Sequence, residues 1–172
     1  PELPTIGVNE LAGDVGGYRK LFNTLTEMCP VPIYTEDINN GAKGYYSDAD
    51  RKIVIKSDMS QLQTIKTMIH EMAHEKLHAK EKLDKDHPVD RRTKEVEAES
   101  IAYTICQHYG LDSSDYSFSY VAGWSSGKEV KELKASLERI RSAADEMITG
   151  IDKALDKQTK REQSRNVRDE AR

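Results

Sequence analysis

Apolar residues recur three and four positions apart along four stretches of the chain, and short β-branched runs lie between the first two stretches. From Asp14 to Met28, the positions Val15, Tyr18, Leu21, Phe22, Leu25 and Met28 share one helical face. Pro30 and Pro32 close that helix. Val31 to Tyr34 reads as a short strand, which its proline assigns to a sheet edge or a strand entry. A turn over Asn39, Asn40, Gly41 and Gly44 leads into a hairpin. Gly44-Tyr45-Tyr46 runs out, Ser47-Asp48-Ala49-Asp50 turns, and Lys52-Ile53-Val54-Ile55-Lys56 returns. Ser60 with Gln63 is a capping box for a second helix, whose buried side carries Leu62, Ile65, Ile69, Met72, Ala73 and Leu77. Residues 80–92 are charged, contain Pro88 and read as a surface loop. A third helix spans about Thr93 to Tyr109, with Gly110 as its stop. Residues 111–127 suggest a short helix between loops. From Lys128, the series Val130, Leu133, Leu137, Ile140, Ala144, Met147, Ile151 and Leu155 predicts a long final helix.

The fold class that follows is α+β: a small, mostly antiparallel sheet packed on the second helix, with further helices toward the C-terminus. The last strand feeds directly into that second helix, and its exposed edge could hold an extended peptide by β-augmentation. The 172 residues fit one domain, 1–152, followed by a charged tail, 153–172, that is a helix extension or a disordered end.

The second helix carries the chemistry. His70-Glu71-Met72-Ala73-His74 places two imidazoles one turn apart on one face, where they can share a metal ion. The glutamate between them points at the water such a metal activates. The string matches the HExxH signature of zinc metallopeptidases. Catalytic zinc takes three protein ligands and a water, so a third ligand must come from elsewhere. The three-histidine pattern of metzincins needs a histidine at position 80, where this chain has Lys80. A glutamate from the third helix is the alternative. Glu95 and Glu99 share a face with Ala102 and Cys106, so small residues there allow close helix approach. Glu95 is assigned as the ligand and Glu99 as the acceptor that fixes a ligand histidine's tautomer, with the two roles interchangeable on spacing alone. Glu97 points about 160° away and is expected in solvent. Glu71 is the general base. His78 extends the His70–His74 ladder and either orients the site or binds substrate. Tyr120 is the choice for stabilising an oxyanion, with Tyr116, Tyr109 and His108 as rivals. Trp124, the single tryptophan, is expected to be a packing anchor between helices.

Charge and composition narrow the class. Net charge is −4, and residues 153–172 carry seven Lys or Arg against four Asp or Glu. The tail is therefore +3 and the body −7, which argues against nucleic-acid binding by the domain itself. Cys29 and Cys106 stand 77 positions apart, lack metal-knuckle spacing, and read as reduced thiols of a cytoplasmic protein. No apolar run reaches membrane-spanning length. The first residues lack a basic start and an apolar stretch, so no signal peptide is visible, and the start at Pro1 rather than Met suggests excision from a longer polypeptide.

With these residues in view, HEMAHEKLH followed by KEVEAESIAY resembles the ImmA/IrrE group of gluzincin metallopeptidases. The stretch SYVAGWSSGKEVKELKASLERIRSAADEMI is similar to the metallopeptidase domain of ArdC-like and LtrC-like antirestriction proteins, over roughly residues 14–150. The resemblance implies a zincin-like fold, Zn2+, and residence on a mobile genetic element as one module of a longer chain. It also implies a protein or peptide substrate such as a DNA-bound repressor. The family commonly has Gly before the second histidine, where this chain has Ala73. A non-catalytic, zinc-containing antirestriction or protein-binding module is the alternative reading.

Overall fold

The computed structural model describes residues 15–113 and 118–172. Helix α1 (Tyr18–Met28) leads to strand β1 (Ile33–Glu36), then β2 (Gly44–Ser47) and β3 (Lys52–Lys56). Helix α2 (Gln61–His78), a short 3-10 turn (Lys80–Lys82), α3 (Arg91–His108), α4 (Phe118–Ser125) and α5 (Val130–Glu170) complete the chain. This is an α+β fold in which a three-stranded sheet packs on a layer of helices. No described helix is long and apolar enough to cross a membrane.

The strand order is β1-β3-β2, with β1 parallel and β2 antiparallel to β3. The sheet is thus mixed, where a mostly antiparallel one was expected, because the 37–43 connection leads from one edge strand to the other and β3 then returns between them. β3 takes the centre. Its Ile53, Val54 and Ile55 are all buried, as three consecutive apolar residues require when both faces are covered. The strand that feeds α2 consequently has no free edge, contrary to expectation. The edges belong to β1 and β2, and β2 lies against α2. That approach depends on Gly44, where an added Cβ would stand 2.8 Å from Thr67 Cγ2 and 2.9 Å from the Val54 carbonyl oxygen.

The helix ends follow the local chemistry. Ser60 Oγ accepts from the Gln63 amide to cap α2. Asp90 caps α3 through Thr93 N–H at 2.7 Å. At the other end of α3, Gly110 adopts φ +70°, its amide bonds Gln107 O, and the Leu111 amide bonds Cys106 O. Glu129 and Glu132 form a capping box for α5.

Helix α2 is packed on by the sheet, α1, α3 and α5, so most of its positions are buried. Leu62, Ile65, Met68, Ile69 and Ala73 join Leu25, Ile53, Ile55, Ile101, Ala102, Ile105, Met147 and Ile151 in one core. Its polar positions Lys66, Glu71, Glu75 and His78 are buried too, and each must find a partner. Trp124 is buried against Val96 and donates from Nε1 to Thr93 Oγ1 at 2.8 Å, which matches its expected role as an anchor. Cys29 and Cys106 are both free thiols, and burial pushes the Cys106 thiol up to about 12.

Candidate metal centre

His70 and His74 stand one turn apart on α2, and Glu95 faces them from the first turns of α3. Their ligand-type atoms form a compact triangle. His70 Nε2 lies 3.1 Å from His74 Nε2, Glu95 Oε1 lies 3.0 Å from His74 Nε2, and Glu95 Oε2 lies 3.4 Å from His70 Nε2. Metal–ligand bonds of 2.0–2.1 Å in a tetrahedron place neighbouring ligand atoms about 3.3 Å apart. The three residues therefore fit a zinc-sized ion at the lengths present, and both imidazoles offer Nε2 to the same point. The His70 and His74 side chains are 16% and 15% exposed and Glu95 is 38% exposed, so the cluster opens to solvent on one side.

Charge in the cluster is strongly coupled. Burial opposes a charged His70, but its bonds to Glu95 and Glu99 outweigh burial and lift its pKa well above the ordinary imidazole value. Against the same cost of burial, His70 and His74 hold the Glu95 carboxyl well below the usual carboxylate range. The carboxylates that hold a proton on His70 can attract a metal cation to the same place.

The other nitrogens of the histidines face inward. His70 Nδ1 lies 2.8 Å from Glu99 Oε2, the contact expected of a tautomer-fixing carboxylate. Glu99 is 4% exposed and also pairs with the buried Lys66 ammonium of α2. His74 Nδ1 lies 2.9 Å from His78 Nδ1. His78 is thus beside a cluster histidine and buried. Its pKa is lowered by burial, against the pull of Glu97.

Glu97 departs from expectation. It has no exposed surface. Arg139 of α5 donates to it from Nε at 2.9 and 3.0 Å, and Ser136 Oγ lies 3.4 Å away. The residue points away from Glu95, as helical spacing required, but α5 covers that side of α3. Lys66 and Arg139 were likewise not identified from sequence. The signal available was modest: a lysine on the buried face of an amphipathic helix, and an arginine facing the third helix's acidic run.

Glu71 is 7% exposed. Burial raises its pKa, partly offset by His70, His74 and a hydrogen bond from the Tyr46 backbone N–H. Since that N–H reaches Glu71, the outer edge of β2 faces the cluster. Among the candidate oxyanion stabilisers, Tyr116 and the Tyr120 side chain lie outside the described residues. Tyr109 sits at the far end of α3 from Glu95, where its hydroxyl donates to Asp152 Oδ1 at 2.7 Å. His108 stacks edge-on against it.

Residues 28–109 match the Peptidase_M78 family, described as the IrrE N-terminal-like domain. The matched region runs from the end of α1 to the end of α3 and contains His70, Glu71, His74 and Glu95. The match supports a relationship to the ImmA/IrrE peptidases and a metallopeptidase-like function. A 116-residue stretch is 35% identical to the Bacillus anthracis protein pXO2-81, itself described as uncharacterized. The aligned stretch is 66% of this chain and 19% of that relative, so the chain spans about a fifth of the relative's length. No solved structure matches the chain.

Proposed function

We propose that this chain is the metallopeptidase domain of an ImmA/IrrE-type zinc endopeptidase, held on His70, His74 and Glu95. The observation that carries the reading is Glu71. A carboxylate buried between two ligand-type histidines, with its pKa raised, suits a general base and serves no purpose in a purely structural zinc site. Zinc, when bound, supplies a Lewis acid that polarises a carbonyl and makes water more acidic.

The chain's own residues supply the rest. Glu71 takes the proton of the attacking water and later delivers it to the leaving amine nitrogen. Glu99 and His78 hold the two ligand imidazoles. The outer edge of β2, with the Tyr46 N–H directed at the cluster, offers main-chain groups along which an extended substrate pairs. Tyr120 is our choice for polarising the scissile carbonyl. The Tyr120 to Trp124 stretch and the long final helix favour the ArdC-like and LtrC-like branch. We assign the domain to the cytoplasm, to a mobile genetic element and to a longer polypeptide, with a regulatory protein such as a DNA-bound repressor as substrate.

The test compares wild type, Glu71→Gln and His70→Ala for zinc per chain and for cleavage of proteins encoded beside this one. We expect one zinc in wild type and in Glu71→Gln, with cleavage reduced by at least about 100-fold in the latter. His70→Ala should lose the metal. Zinc with no cleavage by wild type would favour a non-catalytic binding module. Zinc retained by His70→Ala would overturn the site.

A further inference from the structure

His74 can ligate a metal only through a nitrogen without a proton. Its Nε2 is the atom that faces His70 and Glu95, so in the ligating tautomer its single proton sits on Nδ1. That Nδ1 lies 2.9 Å from His78 Nδ1. Two ring nitrogens at this distance share one proton, so His78 Nδ1 must be the acceptor. A neutral His78 then carries its own proton on Nε2. The opposite arrangement, with His78 donating from Nδ1, would put the His74 proton on Nε2 and block ligation.

Something must therefore favour the proton on His78 Nε2. This nitrogen is buried and has no partner at hydrogen-bond distance among the described residues. The group facing it is Glu97 Oε2 at 3.6 Å. Glu97 is itself fixed: Arg139 of α5 grips both its oxygens, and Arg139 Nη2 also donates to Ser136 Oγ at 3.1 Å. A carboxylate kept anionic in this place attracts the Nε2 proton and repels the lone pair that the other tautomer would present.

We infer that Glu97, held by Arg139, is a positioning residue for the metal centre, acting through His78 to present His74 Nε2 to the ion. The inference rests on the zinc reading of the cluster. It extends the site onto α5, which lies wholly outside the family-matched residues 28–109. The competing account is that Glu97 and Arg139 form an interhelical ion pair and nothing more. Such a pair would affect folding without affecting the metal.

Zinc affinity by competition with a chromophoric chelator separates the two accounts, read alongside the melting temperature of the metal-free protein and the visible spectrum of the Co2+ form. Glu97→Gln offers both an acceptor and a donor to His78 and no longer selects its tautomer. It should weaken zinc binding by about 10- to 100-fold and alter the Co2+ bands. Arg139→Gln should shift both readouts in the same direction by a smaller factor, and Arg139→Lys should recover part of the loss. Arg139 is 37% exposed, so its variants report even if Glu97→Gln does not fold. Variants with wild-type zinc affinity and spectrum, whatever their melting temperature, overturn the inference while leaving the zinc site intact. A wild type that binds no stoichiometric zinc overturns the zinc reading and this inference together.

Discussion

At the scale of single residues, the centre is organised by pairing on buried polar positions. Glu99 illustrates the cost involved. It accepts from His70 on one oxygen and pairs with the Lys66 ammonium on the other, and both Glu99 and Lys66 are buried. Removing one partner of a buried pair leaves the other charge unpaired in a poorly solvated place, which typically costs 3–5 kcal/mol. Lys66→Met should therefore lower the free energy of unfolding of the metal-free protein by about 3 kcal/mol in urea titrations. A loss under about 1 kcal/mol would mean that the pair behaves as a solvent-screened surface bridge. That His70, His74 and Glu95 would cluster was legible beforehand because helical spacing fixes which residues share a face. His70 and His74 are one turn apart, as are Glu95 and Glu99. Spacing says where a side chain points and not what stands there, so Glu97 read as solvated although α5 covers it. Lys66 was missed for the same reason, since its partner belongs to another helix.

At the scale of elements, caps and stops were readable because they depend on residues within one turn of each other. Ser60 and Gly110 act where the sequence placed them. Strand pairing was not readable, because β1 joins β3 in parallel across about twenty residues and no local signal encodes that choice. Asp90 shows how much a single terminus matters here, since it starts the helix that carries Glu95, Glu97 and Glu99. Its carboxylate accepts from Thr93 and pairs with Lys128, and its pKa falls from 3.8 to about 2: burial works against the shift and these bonds drive it. The folded value lies below the unfolded one, so the contribution is present above about pH 4 and is lost as pH falls toward 2. Asp90→Ala should cost about 1 kcal/mol at pH 7, and the gap to wild type should narrow below pH 4. Asp90→Asn keeps a good cap, so it should lie close to wild type at neutral pH. Urea midpoints measured from pH 7 downward check both statements. A gap that stays constant to pH 2 would remove the charged carboxylate from the account.

For the whole molecule, the long final helix raises the question of how much of it the fold requires. Its periodicity was evident in the sequence, but periodicity does not say which segment is packed. Ser136, Ala143, Ala144, Met147 and Ile151 are buried, and Lys20 of α1 pairs with Glu162. Residues 161–172 are exposed throughout, and a lone helical extension of that kind gains little from packing. Ending the chain after Glu162 should therefore leave both the melting temperature and zinc binding within error of the full chain. Ending it after Lys128 should do the opposite, although every residue of the family-matched region and all three proposed ligands remain. The core would lose the buried Met147 and Ile151, each worth about 1.5–3 kcal/mol, and a smaller share from the partly buried Ile140 and Leu155. Their sum approaches the whole stability of an ordinary domain, about 5–15 kcal/mol. The same cut would remove Arg139 and leave Glu97 with no cation across from it. The shorter chain is expected to lose its cooperative melt in circular dichroism and to bind zinc weakly if at all. A cooperative melt with wild-type zinc affinity would show that the matched region is a complete domain and that α5 is an appendage.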